Sequence, residues 1–463
     1  MLGHSLLTAM LAAAAGIAAA ADPQQTESWN ILTQALHAGG PDQASAFGML
    51  GAIGSAESRA VVEATLRGDD IKAIGLLAAG LTPEQCAFYL PDLGKAAGAP
   101  GGGPAALSIL DAIARARSAD AAGVLAGIAD SAGVPTAGVA FGLLERMGDV
   151  AAPFLITAVT TGRSAWSRET AVSTLLRMRS AGEAAAFRSA LHDTDDRVRT
   201  AASVALAWLG DPEGKPQLEA AAANPSSDYQ TDAVVGLAIL GQSGAFERLE
   251  GLVASPDEAV RGRTAWAIAR SGSVNLKQFA YRMGFDRQPV FRNMLAERLL
   301  DPGDPRDVAV LQAMIADGDE MSQLVAARRL LGTNGSGPAE QVVAKSLGSG
   351  NEAVRALAIE TASSRQELRP VVARWLSSPD PAVQVAALSA IADLHQGERF
   401  AEVALYLPSD VRPVSAAAAR ALVALDPGAA KAALEAGLTS PRSHVRIHSA
   451  AMLLALAAHG QPR

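Results

Sequence analysis

The chain has 463 residues, a net charge of −8 and only 4% aromatic residues. Its length exceeds what one compact core holds. Its single cysteine, Cys86, excludes an internal disulfide and any multi-cysteine metal site. Residues 1–160 hold 7 Lys/Arg against 14 Asp/Glu, residues 161–300 hold 17 against 16, and the remainder 15 against 17. No segment is therefore basic enough to hold a phosphate backbone through net charge.

In chain order, Leu6 to Ala21 is continuously apolar or small and ends in four alanines before Asp22-Pro23. Residues 1–21 read as an export signal cleaved after Ala20 or Ala21, although the stretch before the apolar run contains His4 and no Lys or Arg. The expected mature chain begins near Asp22, is periplasmic or extracellular, and has no membrane span: the apolar run is marginal for one. Residues 22–103 read as degenerate helical repeats. One copy is clear, at Asp42, Ala46, Leu50, Ile53 and Gly54, while 69–98 departs from the pattern. The Gly98–Pro104 run, with glycines at 101–103 and prolines at 100 and 104, lacks the Lys-Ser/Thr and preceding strand of a phosphate loop. It reads as a flexible connector. A second loop of this kind is Asn334-Gly335-Ser336-Gly337-Pro338.

From residue 104 to the end a pattern returns about every 31 residues. Val383, Val414 and Val445 are 31 apart, Val198 and Val260 are 62 apart, and further anchors fall at Ala105, Thr136, Ser167, Tyr229, Phe291, Ser322 and Val354. Four residues after each anchor stands a small residue, such as Ala171, Ala202, Ala233, Ala358 or Ala387. Eight after stands Leu or Ile, such as Leu175, Leu206, Ile268 or Leu422, and eleven after is often apolar again. These offsets fall on one helical stripe. Gly148, Gly210, Gly241 and Gly272 follow where a C-cap belongs. Asp211-Pro212, Asp301-Pro302 and Asp426-Pro427 mark turns. A shorter apolar stretch follows each turn, for example Val308, Leu311 and Met314. Asp195, Asp257 and Asp380 stand where the next helix opens and suit an N-cap. The predicted fold is all-α: a solenoid of about 13–14 stacked helical hairpins of about 31 residues, regular over 104–463.

The run Asp196-Arg197-Val198-Arg199, with Ala201-Ala202, Ala205-Leu206 and Leu209-Gly210-Asp211-Pro212, recurs over Asp257–Ala267, Glu352–Ala358 and Ser443–Leu453. It resembles the HEAT-like repeat, in particular the short version of phycobilisome lyases. The resemblance implies that the short second helices line the concave face. Polar positions there, namely Lys277, Gln278, Tyr281, Arg282, Arg306 and Arg374, are the expected partner-binding residues.

Arg168, Arg199, Arg261, Arg292, Arg355 and Arg446 follow their anchors directly, with acidic residues just before. Equivalent positions stack in a repeat array, so the expectation is a structural ladder of carboxylates and guanidinium forks. Cys86 lies among apolar neighbours and reads as core. His444 and His448 share a helical face, but no nearby carboxylate completes a metal set. The tryptophans Trp166, Trp208, Trp266 and Trp375 form no row and read as fillers of an alanine-lined core. Ser, His and Asp occur at no informative spacing, so no triad is inferred. Some HEAT-like proteins are di-iron hydroxylases with several His-Glu pairs, and this chain has no His-Glu dipeptide.

The expectation is a non-enzymatic scaffold or adaptor, without cofactor, that holds a protein or peptide partner in an extended groove and binds no nucleic acid. The alternatives are a bilin lyase or lyase accessory protein, suggested by the repeat type, and a nucleic-acid-binding helical-repeat protein.

Overall fold

The computed structural model describes residues 22–98, 103–178, 182–283, 288–333, 337–365 and 368–459. The export signal, the centre of the 98–104 connector and residues 334–336 of the second loop lie outside these. Among the described residues there is no strand, and no helix is long and apolar enough to cross a membrane. The first helices are α1 Pro23–Ala38, α2 Gly40–Ile53, α3 Ala56–Leu66, α4 Ile71–Gly80, α5 Pro83–Phe88, α6 Leu90–Ala97, α7 Pro104–Arg115, α8 Ala119–Ser131 and α9 Val134–Met147. Then come α10 Ala152–Thr161, α11 Ala165–Met178, α12 Glu183–Ala190, α13 Asp196–Trp208, α14 Lys215–Ala223, α15 Gln230–Ile239, α16 Ala245–Val253, α17 Glu258–Ser271, α18 Lys277–Met283 and α19 Pro289–Leu299. The last are α20 Pro305–Asp317, α21 Glu320–Leu330, α22 Gly337–Ser346, α23 Glu352–Ser364, α24 Arg369–Ala373, α25 Pro381–Asp393, α26 Phe400–Ala404, α27 Arg412–Leu425, α28 Pro427–Leu438 and α29 Ser443–His459.

From α11 onward the odd-numbered helices carry the anchors and the even-numbered ones are the second helices. The stripe is the core. Ala171, Ala202, Ala233, Thr264, Ala326, Ala358, Ala387 and Ala418 are wholly buried, as are Leu175, Leu206, Ile268, Ile391 and Leu422. Asp195 opens α13 by accepting from the N–H groups of Arg197 and Val198, Asp257 accepts from Ala259, and Asp380 from Ala382. Gly210 closes α13 at φ +82°, and the next N–H, that of Asp211, returns to the Leu206 carbonyl at 2.9 Å.

The arginine ladder has a more general partner than the expected carboxylates. Arg168, Arg199, Arg261, Arg355 and Arg446 each donate to the carbonyl six residues back: Gly162, Asp193, Ser255, Ser349 and Ser440, at 2.6–3.0 Å. Where the ladder has Gln384, its amide donates to Ser378 O in the same way, at 2.8 Å. The side chain closes the turn before each anchor helix by satisfying a carbonyl that no helix uses. Carboxylates join at some rungs: Arg168 with Asp193 at 2.6 Å, Arg199 with Asp196 at 3.0 Å and Arg292 with Asp319 at 3.1 Å.

The helices form two compact units. Unit 1 holds residues 1–128, 132–143 and 365–463, and unit 2 holds 129–131 and 144–364. In unit 1 the irregular stretch 69–98 folds as three short helices, α4–α6. They are secured by Arg115, which donates to the carbonyls of Ala78 and Leu81 at 2.5 Å each. Cys86 is buried there, and burial pushes its thiol pKa up. Also in unit 1, α1 and α2 pack on α29. Asp42 of α2 pairs with Arg412 at 2.7 Å and accepts from Ser443 Oγ at 2.9 Å. Arg412 also donates to Ser45 Oγ at 3.2 Å. The last repeat is thus covered by the first helices, and His444 and His448 are buried beneath them. His444 Nε2 meets Ser409 O at 2.9 Å, and His448 Nδ1 meets Ser415 Oγ at 3.1 Å.

Two outcomes follow for stability. Ala202→Leu places a large side chain where no space exists and is expected to cost about 1–3 kcal/mol in urea denaturation. Burial, with His444, Arg420 and Arg412 nearby, holds His448 down to about 3, below its ordinary 6.5. The unfolded chain therefore takes up this proton first. The contribution of neutral His448 is complete above pH 6.5 and is lost as pH falls from there toward 3, by about 1.4 kcal/mol per pH unit. His448→Gln is expected to flatten the fall of the urea midpoint between pH 7 and pH 5 relative to wild type.

Candidate binding surface on the anchor helices

The second helices hold the positions that the sequence nominates. Lys277 and Tyr281 of α18 converge on Asp307 of α20, a carboxylate with 0% exposure. Lys277 Nζ lies 2.6 Å from Asp307 Oδ2, Tyr281 OH donates to Oδ1 at 2.6 Å, and the Asp301 N–H donates to Oδ2 at 2.7 Å. Burial alone would raise the Asp307 pKa. The bonds from Asp301, Lys277 and Tyr281 outweigh it and hold the group ionised. The same carboxylate, with burial, pushes the Tyr281 phenol up to about 12. Arg282 is exposed and pairs with Glu250 at 2.9 Å. Gln278 and Arg306 are exposed, the latter's N–H capped by Asp304. Arg374 is exposed in the 3₁₀ turn Arg374–Ser377 of unit 1. The structure thus joins Lys277 to Tyr281 through a buried acid and leaves the other four apart.

The closer packing runs along the other row. Consecutive anchor helices α11, α13, α15, α17, α19, α21 and α23 lie directly on one another, whereas second helices between Lys215 and Ser346 meet only sparsely. Side chains on the anchor row can therefore bridge more than one repeat. Tyr229, at the N-cap of α15, reaches past α13 to donate to Glu169 Oε1 of α11 at 2.5 Å. Burial and this bond push its phenol pKa up. Arg197 of α13 pairs with Glu169 and with Asp228, both at 3.3 Å. Arg177 of α11 pairs with Glu145 of α9 at 2.8 Å and donates to Thr174 Oγ1 at 3.1 Å.

Next to this network lies an aromatic and cationic patch. The Arg270 guanidinium of α17 sits 4.4 Å from the ring centroid of Trp266, one turn earlier, and 5.4 Å from that of Trp208 on α13. Trp208 is 7% exposed and its indole N–H donates to Asp232 O at 3.4 Å. Trp266 is 42% exposed, so the core-filler reading holds for Trp208 and fails for Trp266. Trp166 and Trp375 are half-buried. Burial lowers the Arg270 pKa, with Asp232 opposing. Burial raises that of Asp232, with Arg270 opposing. Among the described residues Arg270 has no ion pair, and its buried Nε has no hydrogen-bond partner.

The sequence assigns Trp266 to the core and does not single out Arg270 or Asp232. A signal was present: Arg177, Trp208 and Arg270 each stand ten places after their anchors, between the core offsets 8 and 11 but turned off the stripe. Large side chains there line one flank of the anchor row.

A stack of helical hairpins held by a shared stripe is an α-solenoid, and its turns, caps and small-residue column define the class. Residues 152–238, spanning α10 to most of α15, match the family described as HEAT repeats. With the same hairpin continuing to His459, the chain is a HEAT-like repeat protein. No curated protein matches it. Solved structures similar to it include importin beta, at 14% identity, covering 97% of this chain and 72% of that one, with a TM-score of 0.33. Another is the karyopherin Kap121p bound to the extreme C-terminus of the protein phosphatase Cdc14p, at 10% identity and a TM-score of 0.35, covering 99% of this chain. This chain spans 63% of that karyopherin's length. A third is human deoxyhypusine hydroxylase in complex with glycerol, at 17% identity, covering 62% and 98% of the two chains, with a TM-score of 0.24.

Asp307→Ala is expected to leave Lys277 and Tyr281 facing a buried void and to destabilise unit 2 by about 3 kcal/mol. Asp307→Asn, which keeps an acceptor for Tyr281, is expected to cost less. Urea denaturation of both variants checks the order.

Proposed function

We propose that this protein is a non-enzymatic scaffold that holds a protein or peptide partner along the anchor helices α11–α17. The observation that carries this is the Trp266–Arg270 pair. Trp and Arg are enriched among the residues that dominate binding energy at protein interfaces, Trp through the large area it buries and Arg through its planar fork of donors. Here both are pre-ordered, one against the other, beside Trp208 and a fixed polar network. Rigid anchors lose little freedom on binding. The nominated residues Gln278, Arg282, Arg306 and Arg374 offer exposed polar contacts but no ordered aromatic centre. In this reading residues 1–21 direct the chain out of the cytoplasm, residues 22–103 form its irregular helical portion and 104–463 the regular solenoid.

A photo-crosslinking amino acid at position 266, and separately at 278, tests the reading in the native cell. A discrete protein adduct from position 266 that disappears with Arg270→Ala is expected. Adducts only from 278 would move the partner to the second helices. Adducts from neither position would remove the scaffold function. The mature chain recovered in the same experiment is expected to begin near Asp22 by N-terminal sequencing. A chain still beginning at Met1 would overturn export.

A further inference from the structure

We propose that Arg270 is the receptor for a carboxylate, and that the segment seated on α13–α17 is an acidic peptide with Asp or Glu beside an aromatic or large apolar residue. The inference rests on the reading of this face as a binding surface and adds the chemistry of what it binds. A guanidinium presents five N–H donors in a planar fork that matches a carboxylate. The other arginines of this network use theirs: Arg177 on Glu145, Arg197 on Glu169 and Asp228, and Arg168 on Asp193. Arg270 makes no ion pair among the described residues, and its Nε is shielded from water without a partner. Asp232 acts on it through space without an ion pair, and burial works against the charge of that carboxyl.

The geometry favours an incoming anion over an incoming cation. Trp208 and Trp266 are the rings on which a ligand's Lys or Arg would stack, and Arg270 already lies at both. The indoles hold the guanidinium in place, so its outer N–H groups lose little freedom when a carboxylate binds. The exposed part of Trp266 then gives the neighbouring apolar side chain a platform.

The test uses the full mature chain and three fluorescein-labelled peptides of equal length, alternating Phe with Glu, Gln or Lys, read by fluorescence anisotropy. The Glu peptide is expected to bind wild type at least about tenfold more tightly than the Gln peptide, as a charge-assisted fork requires. That preference should weaken as salt rises. It should shrink to about twofold or less in Arg270→Gln and be largely lost in Arg270→Lys, which keeps the charge without the fork. Circular dichroism of both variants confirms an intact fold. Equal binding of Glu and Gln peptides, both weakened by Trp266→Ala, would overturn the carboxylate receptor and leave the binding surface standing. Tightest binding of the Lys peptide would also overturn it and make Asp232 the receptor. Failure of every peptide to bind would overturn it as well, and the crosslink from position 266 then decides separately whether the surface binds protein.

Discussion

The small side chain four places after each anchor sets the distance on which the rest of the structure depends. Ala171, Ala202, Ala233, Ala358, Ala387 and Ala418 are wholly buried. Without a bulky group at that level, successive anchor helices lie close enough to share one thin core. A core so thin needs few aromatic residues, which accounts for the composition. It also makes each repeat dependent on its neighbours, since no hairpin buries its stripe alone. The arginine clamp to the carbonyl six residues back serves the same constraint. It fixes the turn, and so the angle at which each new helix joins the row.

Close packing along the anchor row has a second result. Side chains there reach beyond the adjacent repeat. Tyr229 meets Glu169 across α13, and Arg270 meets Trp208 across α15. The tenth place on α15 is Ile239, shorter than the Arg and Trp at the tenth places of α11, α13 and α17. The polar network and the cationic patch are therefore consequences of the spacing that built the core, made into a surface by a few large residues on one flank.

Most of the fold was legible in the sequence because it is a nearest-neighbour property. Spacing names the stripe, Asp195, Asp257 and Asp380 name the caps, and Gly210 names a helix end. Each of these is decided within one hairpin or between two. The candidate surface was less legible, since Trp208 and Arg270 are 62 residues apart and meet by skipping a repeat. A repeat-by-repeat reading sees Trp266 as one more apolar residue and Arg270 as one more surface cation. Lys277 and Tyr281 show the converse. Their polarity drew attention as partner contacts, and the structure occupies them with Asp307, a buried acid whose position in α20 no local pattern announces. The cover of α1 and α2 on α29 was equally hidden, because no spacing rule links residues 401 apart.

That long-range cover bears on how the protein is made. Asp42 meets Ser443 only after nearly the whole chain has been synthesised. At ordinary translation rates the wait is on the order of 20 s or more. During it, the apolar side chains that α1 and α2 present to α29 have no native neighbour there. The internal hairpins can form in order of emergence, since each contacts what has just preceded it. Unit 1 cannot complete before its final helix arrives, and closing so long a loop is an entropic cost that local helix contacts do not share. A premature stop in the last repeat would therefore uncover the beginning of the protein as well as shorten its end.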